Sequence, residues 1–260
     1  YGTIEQDWAD GKRNPLLPSI GLSYQLVPGL SEIAFSAGKN FHLPTLNDLF
    51  WIPGGNPELK PEEGYLADLS WNTQLALNPF WTLKTELTGF ASYINDWILW
   101  KPGNFQYWSP ENLETVFARG VEARLRTKFQ KGLWTFDGRL NYGFTRTSPQ
   151  RADSFKTMQL IYIPKHRGSL LLHLKWSRWY TQLSSSYTSE RFTSTEEEQS
   201  LHQLPAYFLH HLSLGRAISV GKTALNLGFQ IHNIFNKNYQ SILWRAMPGR
   251  YYTFSLKFDF

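Results

Sequence analysis

The stretch Arg250 to Phe260, "RYYTFSLKFDF" (250–260), decides the fold class. Tyr252, Phe254, Leu256, Phe258 and Phe260 share one parity, and Tyr251, Thr253, Ser255, Lys257 and Asp259 share the other. A period of two places successive side chains on opposite faces of a strand, one apolar and one wet. The period recurs upstream. Ile20, Leu22, Tyr24 and Leu26 alternate with Ser19, Gly21, Ser23 and Gln25. Leu225, Leu227, Phe229 and Ile231 alternate with Asn226, Gly228, Gln230 and His232. The chain is therefore expected to be all-β.

A soluble sandwich and a membrane barrel both alternate, so the ends of the strands and their connections must decide. Aromatic residues make up 16% of the 260 residues and are spread along the chain rather than concentrated in core blocks. Trp71, Trp81, Tyr93, Trp134, Tyr142, Trp176 and Trp179 fall on apolar faces near strand ends, which suits interfacial girdles around a lipid-facing band. Tight turns are expected at "VPGL" (27–30), "LNPF" (77–80), "QKGL" (130–133), "WSRW" (176–179) and "VGKT" (220–223). Long polar loops are expected near 42–61, 100–112, 147–163, 190–204 and 235–248. Short and long alternate along the chain, as an up-and-down antiparallel barrel requires when tight turns lie at one rim and loops at the other. The reading is a transmembrane antiparallel up-and-down β-barrel of about eleven strands. An odd count does not close a bacterial barrel, so 1–260 is expected to be the C-terminal portion of a larger one.

Other classes are excluded by composition. No stretch approaches the roughly 18 apolar residues of a membrane helix. There is no cysteine, hence neither a disulfide scaffold nor a thiolate metal site. The net charge of +5 is dispersed, with no basic run to bind nucleic acid. The first residues, "YGTIEQDWADGKRN", have neither an initiator Met nor a signal-peptide pattern, as expected of a mature product or a fragment.

Several stretches, in order, resemble TonB-dependent outer-membrane receptors. "GKNFHLPTLNDLFW" (38–51), with Phe41, Pro44, Thr45 and Leu49, is similar to one family segment. "GNPELKPEEG" (55–64), carrying Asn56, Pro57, Leu59, Lys60, Pro61 and Glu62, is similar to another. "INDWI" (94–98) and "ARGVEARL" (118–125) resemble internal strands. "IHNIFNKNYQ" (231–240), with Asn233, Phe235, Asn236 and Tyr239, and the terminal strand ending in Phe260 complete the set. The resemblance implies the C-terminal half of a barrel of about 22 strands around an N-terminal plug, long loops outside the cell, in the bacterial outer membrane. It implies TonB-dependent uptake of a scarce chelate, a ferric siderophore or cobalamin, with siderophores placed first as the commoner class. The implied partners are outer-membrane lipid, the TonB–ExbB–ExbD system acting through a plug that these residues do not include, the small-molecule chelate and a possible surface lipoprotein. No cofactor and no bond chemistry are implied.

The remaining chemistry is weighed on the residues. His210 and His211 are adjacent on a strand, face opposite sides and cannot chelate together. Haem receptors similar to this family carry an additional His between the two upstream motifs; 43–56 has none and only His42 lies near. A barrel hydrolase would need Ser, His and an acid converging, and "LSSSYTSE" (183–190) with His173 shows no nucleophile motif. A passive porin is the other alternative. Glu122, Arg124, Arg126 and Lys128 read as a ladder of cross-strand ion pairs in the lumen before they read as an anion patch. The ligand candidates are loop residues, Trp51, Tyr107, Trp108 and Trp244 with Arg245, because exposed loop aromatics commonly mark recognition surfaces. "GNPELKPEEG" itself reads as a rigid corner, with Pro57 and Pro61 presetting the backbone and Asn56 capping a turn.

Overall fold

Twelve antiparallel strands form one sheet in which every strand pairs with its neighbours in sequence. They are β1 (Gly2–Glu5), β2 (Leu17–Val27), β3 (Ser31–His42), β4 (Glu62–Asn78), β5 (Trp81–Pro102) and β6 (Trp108–Lys131). The sheet continues with β7 (Trp134–Pro149), β8 (His166–Trp176), β9 (Trp179–Thr188), β10 (Tyr207–Val220), β11 (Thr223–His232) and β12 (Tyr251–Asp259). The computed structural model describes all residues except 7, 10–11, 103–106, 150–158, 195–202, 221–222 and 260, so Phe260 lies outside the described residues. The sheet is not closed: β1 and β12 are its edges, and the architecture is that of a partial barrel.

The eleven strands read from periodicity correspond to β2–β12, and the four-residue β1 is additional. It pairs with β2 from Gly2 opposite Ile20 to Glu5 opposite Leu17. Four residues are too few to show a period. Four of the five expected tight turns are present, joining β2–β3, β4–β5, β6–β7 and β8–β9, and the fifth falls at 221–222, outside the described residues, between Val220 and Thr223, which pair. Gly29 at φ 72° and Gly132 at φ 58° supply the left-handed backbone that two of these turns need.

One expected loop is mostly not a loop. Of the segment 100–112, residues 100–102 and 108–112 belong to the β5–β6 ladder, which pairs Trp97 with Leu113, Trp100 with Pro110 and Pro102 with Trp108, while 103–106 lie outside the described residues. Pro102 and Pro110 make this segment read as a break. The two strands nevertheless run on past their neighbours as a hairpin, and a two-stranded ribbon has an outer edge where a missing N–H costs no ladder bond.

The two faces differ as the period requires. On one, Leu22, Tyr24, Leu69, Trp71, Leu87, Leu140, Leu214, Phe254 and Phe258 are all exposed. At the tight-turn end of that face, Trp81 meets Phe129 at 5.4 Å, Trp134 stacks on Trp176 at 5.7 Å, and Arg216 lies 4.8 Å over Trp179. Tyr142 and Phe144 gather around His166 towards the opposite end. These are the expected aromatic bands, bracketing an aliphatic middle. The other face carries ion pairs: Arg124 with Glu86 (2.7 Å) and Glu122 (2.8 Å), and Asp137 with Arg126 (2.9 Å) and Arg139 (2.8 Å). The ladder read at 122–128 therefore holds for Glu122, Arg124 and Arg126, while Lys128 forms no ion pair among the described residues. The residues most withdrawn from solvent, Leu59, Leu160, Ile161 and Leu204 among them, lie under the long loops.

Two glycines on adjacent strands separate packing from propensity. A Cβ at Gly120 would sit 2.0 Å from the Phe144 carbonyl oxygen and 2.8 Å from the Phe90 ring, whereas one at Gly89 meets nothing within 4 Å. Gly120→Ala is expected to destabilise the barrel by about 1–3 kcal/mol, and Gly89→Ala to change it by less than about 0.5 kcal/mol. Urea midpoints of the refolded full-length protein measure both, and equal midpoints would refute the assignment.

Candidate ligand-facing site

The tightest structure at the long-loop end is built by the motif at 55–64. The short helix α1 (Leu46–Phe50) opens with a capping box: the Asp48 N–H donates to the Thr45 hydroxyl, and the Thr45 N–H and hydroxyl both donate to the Asp48 carboxylate. The other Asp48 oxygen accepts the Trp100 indole N–H at 2.7 Å, and Trp51 packs edge-on against Trp100 at 5.7 Å. Asn56 accepts the Glu58 N–H at 3.0 Å, closing an Asx turn, and donates its side-chain amide to the Pro110 carbonyl at 3.2 Å. Lys60 exchanges two backbone hydrogen bonds with the Asn112 amide, at 2.8 and 3.0 Å, and the Glu62 carboxylate accepts the Ile98 N–H at 2.7 Å. Leu59 is buried beneath. The motif thus bolts the first long loop to the tall β5–β6 hairpin. Phe41 closes β3 opposite Glu63, and Pro44, Pro57 and Pro61 lie in the connections.

The second motif turns the chain in the same manner between β11 and β12. Asn233, buried at φ 50°, donates to the Lys237 carbonyl (2.9 Å) and accepts the Lys237 N–H (2.8 Å). Asn236 accepts the Arg250 N–H at 2.8 Å. Tyr239 stacks near Tyr207 at 4.8 Å, and Phe235 is exposed with its edge to His210.

The ligand candidates separate into two places. Trp108 opens β6 rather than lying in a loop; its ring lies 5.5 Å from Tyr162, and its carbonyl approaches Gly54 in the Trp51 loop so closely that no Cβ fits between. Trp51, Trp108 and Tyr162 form one belt along this rim, with half-buried Tyr107 preceding Trp108. Trp244 is 88% exposed at φ 66° and Arg245 is exposed beside it, on the separate 233–250 loop. A backbone hydrogen bond from Leu243 reaches Tyr162, whose phenol is pushed above its ordinary pKa by burial against that bond.

A concavity on the polar face, about 780 Å³, lies below this belt. Arg167 and Ser169 of β8, Ser186 and Thr188 of β9, Tyr207 of β10 and Tyr162 from the loop above surround it, with the Glu122–Arg124 ion pair of β6 on its far side. Arg167 has no acidic partner among the described residues. Arg191, buried between loops, donates to the Pro205 and Gln240 carbonyls and lies 4.9 Å over the Tyr207 ring, fixing that wall. Sequence reading misses Arg167 because it stands alone between a histidine and a glycine. Only the register, which sets it opposite Gly143 and Thr188, opens space around it.

Residues 3–234 match the family model for the β-barrel of TonB-dependent receptor-like proteins. The chain belongs to the TonB-dependent receptor β-barrel family. Members of this family are outer-membrane barrels; no helix among the described residues is long and apolar enough to cross a membrane, and such barrels cross with strands. A vitamin B12 transporter, BtuB of Vibrio vulnificus strain YJ016, is 27% identical over 95% of this chain and 36% of its own length. BtuB of Photobacterium profundum is 27% identical over 92% and 37%. The chain therefore spans little more than a third of these relatives. Among solved structures, ferripyoverdine-bound FpvA of Pseudomonas aeruginosa superposes with a TM-score of 0.66 at 16% identity, over 94% of this chain and 33% of that one. The copper transporter OprC superposes at 0.64 and 17%, over 96% and 40%. At such identities the likeness is one of fold.

Among the described residues the serines and histidines weighed above form no nucleophile–base pair on the polar face. In "LSSSYTSE" the period sends Ser184 and Ser186 to the polar face and Ser185 to the apolar one, where it meets His210 Nδ1 at 2.8 Å between Phe208 and Phe235. His173 stacks on Tyr180. His210 and His211 point to opposite faces, and His211 faces His232. Among the described residues no three His, Asp or Glu side chains group as metal ligands.

Asp48 sets a pH limit on the docked loop. Burial alone would raise its pKa, but the hydrogen bonds from Thr45 and Trp100 outweigh that and hold it below the ordinary 3.8. A depressed folded-state pKa contributes stability above the unfolded value and loses it as pH falls through the folded one. Hydrogen exchange protection of 43–61 is expected to be constant above pH 5 and to fall below about pH 3.8. Asp48→Asn should remove that pH dependence and weaken the protection at neutral pH by about 1–2 kcal/mol. Protection independent of pH in the wild type would refute the role.

Proposed function

We propose that the protein takes up a scarce nutrient chelate across the bacterial outer membrane, driven by TonB, and that 1–260 form the C-terminal portion of its barrel. Long loops face outward, and a plug domain transmits the TonB–ExbB–ExbD input. The observation that carries the reading is the concavity around Arg167, beneath an aromatic rim, on the polar face of a barrel of this family. Preformed concave sites lined by aromatics with a few convergent polar groups are where small molecules bind. Hydroxyls, two phenols and one guanidinium that makes no ion pair among the described residues suit a large polar chelate that bears an anionic group.

Cobalamin stands before ferric siderophores as the cargo, since the relatives similar in sequence across nearly this whole chain include vitamin B12 transporters. Trp51, Tyr107, Trp108, Trp244 and Arg245 are proposed as the outer contacts that first meet the chelate. A surface lipoprotein would complete capture in the cobalamin case.

A deletion strain supplied with labelled cyanocobalamin, or with single ferric siderophores as its iron source, tests this. Cobalamin uptake should fall to background and return with the full-length gene, but only in cells that retain TonB. Rescue on one siderophore alone would reassign the cargo. Unchanged uptake of every chelate, or TonB-independent rescue, would refute active transport. Arg167→Ala in the restored gene is expected to raise the half-saturating chelate concentration about 10- to 100-fold with the barrel still folded.

A further inference from the structure

Arg119 and Arg146 face each other directly across the β6–β7 ladder. Both have the parity of the apolar face: Arg119 follows Phe117 and precedes Val121, and Arg146 follows Phe144. Like charges directly opposite in an antiparallel pair repel. The lumen arginines of the same strands are matched to Glu86, Glu122 and Asp137, but neither Arg119 nor Arg146 has an acidic partner among the described residues. Glu63, an acid on this face two strands away, is held by Lys39 at 2.5 Å.

Their height is set by the ladder. Arg119 lies ten residues beyond Phe129 and Arg146 twelve beyond Trp134, both in the tight-turn aromatic band. At about 3.3 Å per residue and a tilt near 40°, those spans reach about 25–30 Å, the far edge of a lipid-facing band. The guanidinium pair therefore stands where headgroups lie, on the long-loop side.

Directly below Arg119 the apolar face is hollow. A groove of about 550 Å³ is floored by Ala67, Gly89 and Ala91 and walled by Leu69, Val121 and Phe144. Arg119 closes its upper end, with its guanidinium 5.1 Å from the Phe117 ring. We propose that this is a binding site for one phosphorylated lipid, its phosphate clamped by Arg119 and Arg146 and an acyl chain lying over Gly89. A phosphate relieves the repulsion between the guanidinium groups and accepts hydrogen bonds from both. The chain fills space that no protein atom occupies. A protein neighbour would have to supply an acid at the depth of the headgroups, whereas the lipid brings both charge and chain. The site is independent of the cargo.

The full-length protein in an uncharged detergent, titrated with lipid A and followed by native mass spectrometry, tests the site. The wild type is expected to hold one lipid A molecule. Arg119→Gln combined with Arg146→Gln should weaken it about tenfold. Gly89→Phe, placed in open space, should weaken it comparably while the heat-modifiable folded band persists. Lys131→Gln, at the opposite rim, should leave it unchanged. Equal lipid occupancy in all four proteins overturns the proposal. So does a change of oligomeric state in Gly89→Phe with occupancy unaltered, which would assign the groove to a protein neighbour.

Discussion

Backbone amides facing hydrocarbon have no water to bond, so each N–H and C=O must find its partner on a neighbouring strand. Strict neighbour-to-neighbour pairing from β1 to β12 follows from this, as do the two-residue period and the short turns at one rim. The ladder leaves side chains free to differ completely between faces, because it uses none of them. An open edge would leave a row of such groups unpaired in the bilayer, at several kcal/mol each. The sheet of β1–β12 is thus stable in a membrane only as part of a closed barrel.

Above the membrane the constraint changes. Loop backbone can bond to water, so fixed loops need dedicated partners. Asparagine supplies many of those described, since one side chain both donates and accepts. Asn56, Asn112, Asn233 and Asn236 each satisfy main-chain groups that strands would otherwise satisfy. The two asparagine-rich motifs are therefore the places where loops are bolted to strand ends. The rigidity they impart reaches the aromatic rim through Asp48, Trp100 and Trp51.

Much of this is legible in the sequence, because period two and turn chemistry are local. Eleven of the strands, the four described tight turns and the corner at 55–64 come from patterns within about ten residues, whereas 231–240 is marked only by family resemblance. The four-residue β1 and the upper β5–β6 hairpin do not, because one is too short to show a period and the other is interrupted by proline. Exposed aromatics in loops are the natural ligand candidates on sequence grounds, yet Trp108 opens a strand. The concavity is illegible: Arg167, Ser186 and Tyr207 are distant in sequence and meet only through register across β8, β9 and β10. Register in turn depends on the exact lengths of turns and bulges, such as the shifts near Val27 and Asn78.

Arginine shows how much the ladder decides. A single residue type occupies three settings, and parity and partner determine what each does. Arg124, Arg126 and Arg139 lie on the polar face beside carboxylates, where ion pairs brace the wall and present little free charge. Arg167 shares that face but makes no ion pair among the described residues, the Glu122 carboxylate across Gly143 being held by Arg124, so its field remains available to a solute. Arg119 and Arg146 lie on the other face, where water is scarce and an unmatched cation is costly except at the headgroup edge. A shift of one residue in β6 would exchange Arg119 with Gly120 and Arg124 with Leu125, putting charge into hydrocarbon and leucine into the lumen. Register is thus enforced by the cost of misplacing these few side chains, and that same enforcement brings distant residues to a common site.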